Sequence, residues 1–356
     1  PLTDTPPPPP AKLKMPESVV EPGPVFNIPP GPLTPPDKVV TAPLEPTLAI
    51  PEPSFTGGIN VSSGILSFSS DANLGSSSNA IILSGGTLAA TATASSARLI
   101  SVLAAGGTLD VSGNSVLTLS GILSGSGALS KIDSGMVKLT ANETLGGAVS
   151  VSGGILGVSG SGGSLSSVSS FTLNVGGTLL LDDSSGSGGN GTLPRLSTTT
   201  AVNGRGGVLE VVGVDGLSSG ESSGPLLIKS GSTLVDVLSG SGGTAILSLA
   251  SLSRTVGASV TFEGGSLGSA QRILITGEAS GFMGSWAHTL ENGSSDFAAY
   301  DPVRGVIPLT QYTSGLAVPG SNGSASGVPE PAVGSVLGLI TLMVRRRRES
   351  SVVRRR

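Results

Sequence analysis

A Gly-Gly-x-Leu break returns along this chain and limits what it can fold into. It stands at Gly85–Leu88, Gly106–Leu109, Gly153–Leu156, Gly176–Leu179, Gly206–Leu209 and Gly264–Leu267, with a looser copy at Gly231–Leu234. Successive starts lie 21, 47, 23, 30, 25 and 33 residues apart. The gap of 47 is about two steps, as if one copy had lost its glycines. Self-similarity at this period marks a solenoid or an array, and a step of roughly 20–25 residues accommodates three short strands joined by tight turns. Between the breaks, apolar and polar residues alternate, as in Ser115–Leu119, Val149–Val151 and Phe171–Val175. Alternation with period two turns one set of side chains to one sheet face. Residues 56–311 are therefore expected to form an all-β solenoid of roughly ten to thirteen coils. Its inner column is expected to include Leu88, Leu109, Leu129, Leu139, Leu156, Leu179 and Leu209.

Composition removes most alternatives. Only 12% of the 356 residues are charged and 3% aromatic, while 55 are Gly. Soluble enzymes are commonly about 25% charged, and Gly is a poor helix interior. The net charge is −4, without a basic face, so nucleic-acid binding is not expected. Cys is absent and His288 is the single histidine, which leaves no thiolate or histidine cluster for a metal. No cofactor is expected. Mean hydropathy is +0.30 without a long apolar run in the repeats, in keeping with many short buried strands.

Residues 1–55 hold 18 of the 25 prolines. Proline lacks an N–H and fixes φ, so this segment reads as a disordered, extended spacer. The chain starts at Pro1 without an initiator Met or a leader, and further sequence before it is expected.

The segment Gly125–Leu156, GSGALSKIDSGMVKLTANETLGGAVSVSGGIL, resembles the autotransporter-associated β-strand repeat. Gly125, Gly127, Leu129, Lys131, Gly135, Val137, Leu139, Gly146, Gly147, Val151, Gly154 and Leu156 match that pattern. Ser134-Gly135 and Ala141–Leu145 depart from it. Gly85–Gly121 and Gly281–Leu309 resemble the coils before such a unit and the end of such an array. The resemblance implies a right-handed parallel β-helix on an exported protein, without catalysis.

The C-terminal region, 328–356 after a Gly/Ser linker at 312–327, carries Pro329-Glu330-Pro331, the apolar run Ala332–Val344, then Arg345, Arg346, Arg347 and Arg348. This order resembles a PEP-CTERM sorting signal, which implies an exosortase-type membrane enzyme as partner. Thirteen apolar residues would make roughly 20 Å of helix, short of the roughly 30 Å hydrocarbon core. The arginines would hold that end on the cytoplasmic side of a bacterial inner membrane. A permanent tail anchor is the alternative. Residues 345–356 carry a net charge of +6, so a chain trimmed of them would carry −10.

Catalytic signals are thin. Gly216–Gly220 and Gly264–Gly268 fit G-x-S-x-G, but no helical pattern follows either and only His288 could act as base. Gly188–Leu193 begins like a calcium nonapeptide but has Leu193 in place of the ligating Asp. Asp182-Asp183 reads as solvated carboxylates, and Asp110, Asp133, Glu210 and Asp236 stand isolated. The aromatic cluster Phe282, Trp286, Phe297, Tyr300 and Tyr312 reads as a cap over the last coil, with a carbohydrate-stacking platform as the alternative. The functional expectation is a non-enzymatic cell-surface or extracellular-matrix protein, with adhesion or exopolysaccharide association as its role. A carbohydrate-active β-helix enzyme is the alternative. An autotransporter passenger is not expected, because these residues contain no C-terminal barrel pattern.

Overall fold

The structure, a computed structural model, describes residues 55–184 and 195–311. The Pro-rich spacer, the sorting motif and the short hydrophobic helix expected at Ala332–Val344 lie outside the described residues. Among the described residues the only helical turns are two short 3-10 segments, Asp71–Leu74 and Leu309–Gln311, and no helix is long and apolar enough to cross a membrane.

The chain winds as a parallel β-solenoid with three walls. The first wall begins with Ile59–Val61, Ile81–Leu83, Ile100–Val102, Leu123–Gly125 and Thr144–Leu145. The second wall has nine parallel strands, from Ile65–Phe68 to Leu252–Arg254. The third has nine parallel strands, from Ala94–Ser96 to Ala287–Glu291. A further parallel sheet of three strands, Ser218–Ser223, Thr244–Leu249 and Gln271–Ile275, occupies the first wall's place in the later coils. Between the two stretches of first wall the strands lapse. Among the described residues, an isolated bridge from Asn142 to Ser164 and a bond from Leu165 N to Arg195 O continue the ladder there.

Register stacks like on like. On the second wall Leu88, Leu109, Lys131, Val151 and Leu173 follow one another. On the third wall Leu117, Val137, Leu156, Leu179, Leu209, Val235 and Phe262 do so. All of these are buried, as are the seven leucines expected in the inner column. Alternation puts every second residue inward, and the inward set stacks because each coil is in register with the next.

The glycine pairs turn corners. Gly106 has φ +82°, a conformation that strains any residue with a Cβ. Its neighbour Gly107 packs so tightly that a Cβ would stand 2.6 Å from the Leu83 side chain in the coil below. The repeated motif changes corner along the array. Gly85-Gly86 and Gly106-Gly107 lead from the first wall to the second, whereas Gly153-Gly154, Gly176-Gly177 and Gly206-Gly207 lead from the second to the third. The gap of 47 therefore spans a shift of corner, and the coils inside it turn on Gly125-Ser126-Gly127 and Gly135.

The C-terminal end is closed. Ala287–Glu291 pairs antiparallel with Ser294–Asp301 through the turn Asn292-Gly293, and Ser294–Asp301 also pairs with Gly281–Phe282 and Gly305–Pro308. Tyr300 is buried there and its hydroxyl both donates to Ile275 O (2.9 Å) and accepts from Ile275 N (3.0 Å). Trp286 packs on the core with Arg254 5.2 Å from its ring. These two aromatics cap the last coil as expected. Phe282, Phe297 and His288 instead form an outward cluster, with ring centroids 5.7 Å and 5.3 Å apart. Tyr312 lies outside the described residues.

Leu156 is fully buried while Ser152 is exposed and accepts a hydrogen bond from Asn174 (2.9 Å). Leu156→Asp is expected to cost about 4 kcal/mol or more in a thermal or denaturant melt, because an unpaired charge enters a dry column. Ser152→Asp is expected to stay within about 1 kcal/mol.

Candidate functional site

Two kinds of polar arrangement stand out, one inside the coil and one on its outer walls. Inside, three cations occupy places where the pattern calls for apolar residues or turns. Lys131 sits in the inner column between Leu109 and Val151 and is fully buried. Its Nζ donates to the carbonyls of Ile132 (2.7 Å), Asp133 (2.8 Å) and Gly153 (3.1 Å). Burial lowers its pKa to about 8, against the opposing pull of Asp133 and Asp110. Lysine at this position of the repeat is thus a corner brace. Arg98 braces the N-terminal end, holding the carboxylate of Asp71 at 2.9 Å and 3.0 Å together with the carbonyls of Ser76, Asn79, Asp71 and Gly75.

The third cation, Arg195, lies where the first wall lapses. It bonds Asp183 (2.6 Å and 2.9 Å), pairs with Glu221 (3.2 Å) and donates to the carbonyls of Gly160, Gly163 and Asp182. Asp183 and Glu221 are buried. The expectation of two solvated carboxylates at Asp182-Asp183 is therefore corrected. Asp182 caps Ser184 at the edge, and Asp183 turns inward to the clamp. Burial, with Asp183 close by, pushes the Glu221 carboxyl upward, and Arg195 pulls it back in part.

Glu143 is the buried anion of the first wall. Thr144 is in register with Ser124, which aligns Glu143 with Leu123 in the inward column. Its carboxylate accepts the Leu123 N–H, the place taken by a backbone carbonyl at Ile81 and Ile100. Burial raises its pKa to about 7, offset in part by hydrogen bonds from the Leu123 and Ala141 backbone.

On the outer side of the second wall, Thr87, Thr108, Ser130, Ser150, Thr172 and Asn203 follow one another in register. Adjacent rungs lie about 4.8 Å apart, so this is a regular column of hydroxyls ending in an amide. The outer third wall holds a different column. Glu210, Asp236 and Glu263, far apart in sequence, occupy one register position on successive coils. They are aligned rather than isolated, and Asp236 and Glu263 are buried, which withdraws them from a polymeric substrate. Among the described residues no group of three or more His, Asp or Glu is placed to hold a metal ion.

The G-x-S-x-G motifs hold no nucleophile geometry. Ser218 begins a strand and accepts from Thr244 Oγ1 (2.9 Å), and Ser266 bonds Gln271 through both its amide and hydroxyl. His288 stacks on Phe297, and burial lowers its pKa. Pro329, Glu330, Pro331 and Arg345–Arg348 lie outside the described residues, as does the Gly188–Leu193 segment.

No family model matches the chain and no solved structure does. Over 124 residues the chain is 36% identical to the adhesin BmaC autotransporter of Brucella suis biovar 1 (strain 1330). The chain is similar to part of an adhesin. The match takes in 35% of this chain and 3% of that protein's length. Together with the solenoid, it supports an autotransporter-like β-helical repeat.

The buried charges make two predictions. The ordinary Glu value of 4.5 rises to about 7 for Glu143 in the folded state. Between these values the folded chain keeps a proton that the unfolded chain has released. Stability from this group is therefore full below about 4.5 and falls as pH rises toward 7, by an amount on the order of 3 kcal/mol. Glu143→Gln is expected to flatten denaturant-melt stability over that window, leaving the share contributed by Glu221. Arg195→Met leaves Asp183 and Glu221 buried without their cation and is expected to cost about 3–5 kcal/mol in the same measurement.

Proposed function

We propose that this chain is the adhesive stalk of an exported bacterial surface protein, a right-handed coil that engages repeating polar polymers along its outer walls. The observation that carries this reading is the outward column Thr87, Thr108, Ser130, Ser150, Thr172 and Asn203. Such side chains at a spacing of about 4.8 Å offer uncharged donors and acceptors in a line, which suits an exopolysaccharide better than a compact ligand. The partial similarity to an autotransporter adhesin supports the same direction. The right-handed sense rests on the general preference of parallel crossovers.

Delivery is the second part of the proposal. An exosortase-type enzyme of the inner membrane recognises Pro329-Glu330-Pro331 at the outer face while Arg345, Arg346, Arg347 and Arg348 hold the cytoplasmic end. The apolar run Ala332–Val344 then serves as a temporary anchor, whose short length is tolerable because it is discarded. The supporting observation is the order of motif, apolar run and arginines in the sequence.

Both parts are testable. Ser130→Asp with Ser150→Asp places charges on the proposed binding column. This pair is expected to reduce retention on immobilised exopolysaccharide from the producing organism at least tenfold, with a melting midpoint near that of the parent. Undiminished retention would remove the column from the binding surface. For delivery, intact mass of the surface-exposed protein is expected to lack 345–356, and Glu330→Ala is expected to leave a longer form in the membrane fraction. A surface-exposed protein that keeps Arg354–Arg356 would instead be a permanently tail-anchored stalk.

A further inference from the structure

The first wall carries a feature that the adhesive reading does not use. Asn60-Val61-Ser62 and Asn142-Glu143-Thr144 both fit the N-x-Ser/Thr acceptor pattern for N-linked sugar. In each, the wall sorts the three side chains in the same way. Asn60 and Ser62 are exposed while Val61 is buried, and Asn142 and Thr144 are exposed while Glu143 is buried. Residues two apart on an extended chain share a face, so the acceptor amide and the hydroxyl point to solvent together on a backbone pinned from beneath.

Five other asparagines have side chains held by hydrogen bonds. The side chain of Asn73 accepts from the Ser69 and Ser70 backbone, and Asn79 donates to Phe55 O and Leu74 O. Asn174 donates to Ser150 and Ser152, and Asn203 to Phe171 O. None of these four begins an acceptor pattern. Asn292-Gly293-Ser294 does fit the pattern, but its amide is spent on Gly265 O at 2.8 Å. No side-chain hydrogen bond holds Asn60 or Asn142 among the described residues.

A second, independent observation adds to this. Carried back one residue from the Ile100–Leu123 pair and two from the Thr144–Ser124 pair, the register sets Leu99, Ile122 and Asn142 in one outward column. Leu99 is 57% exposed and Ile122 is 42% exposed, two large apolar side chains side by side on solvent. The apolar face of a sugar ring attached at Asn142 would lie over this pair.

We infer that Asn142 and Asn60 are N-glycosylation acceptors, and that the first wall is the sugar-bearing side of the stalk. The co-reactant is a phosphate-activated sugar, carried on a nucleotide or a lipid. The Asn Nδ2 forms a bond to C1 of the sugar as the C1–O bond to phosphate breaks. The phosphate leaves with that electron pair, and the amide proton passes to a base of the transferase. The hydroxyl of Ser62 or Thr144 positions the amide and is not consumed. This inference goes beyond the adhesive reading and does not depend on how the tail is processed.

The test is glycopeptide mapping by mass spectrometry of the full chain isolated from its producing organism, alongside Thr144→Val and Ser62→Ala. Hexose- or hexosamine-type mass increments are expected on Asn142 and Asn60 and not on Asn292. Thr144→Val should abolish the Asn142 increment, leave that on Asn60, and keep the melting midpoint. Ser62→Ala should do the converse. Unmodified Asn142 and Asn60 would overturn the inference, as would sugar confined to serine and threonine. So would an Asn142 increment that survives Thr144→Val, or modification of Asn292 in preference to both.

Discussion

In this solenoid the backbone hydrogen bonds of nearly every strand run to the coil before and the coil after. Among the described strands the parallel pairs link successive coils, and antiparallel strand pairs occur at the closing hairpins. A single coil of three short strands can satisfy neither its backbone nor its apolar face alone. Stability is then a sum of neighbour interfaces, and each interface demands strict register. A slip of one residue would turn Leu156 outward and Ile155 inward along the whole wall. The same demand explains the glycine pairs, since a corner must turn without lifting one coil off the next.

Strict register also explains why charge is admitted inside. A coil that keeps its register leaves carbonyls at corners that no ladder reaches. Lys131 takes up three of these, Arg98 four and Arg195 three. Lys131 is satisfied by backbone carbonyls, while Arg98 and Arg195 divide their donors between carbonyls and carboxylates, and the cost of burial is offset by these hydrogen bonds. Arg195 has the further task of holding the coil together where the first wall lapses, with Asp183 and Glu221 drawn in around it. Glu143 is the weaker arrangement. It replaces one ladder carbonyl with a carboxylate whose pKa burial raises to about 7.

The outer walls inherit the same periodicity. Stacking coils in register turns scattered serines and threonines into a straight column on the second wall, and three scattered acids into a column on the third. The first wall gathers paired Asn and Ser or Thr side chains beside exposed Leu99 and Ile122. The three walls thus differ in the polar and apolar side chains that register brings together on them.

The all-β class, the corner glycines and the seven inner leucines were legible in the sequence, because period-two alternation and φ > 0 turns are local properties. The corner at which a given glycine pair sits was not, since Gly-Gly-x-Leu looks the same at any corner and only pairing reveals the shift after Gly107. The inward placement of Lys131 and Glu143 was hidden for a related reason. A charged residue in a short strand reads as outward unless its coil-to-coil register is known. Asp183 and Glu221 stand far apart in the chain and meet only because Arg195 brings them into one gap. The columns Glu210–Asp236–Glu263 and Thr87–Asn203 join residues 20 to 31 positions apart. Local pattern determines which side of a strand a residue takes, but coil length determines what it stands beside, and coil length here varies from turn to turn.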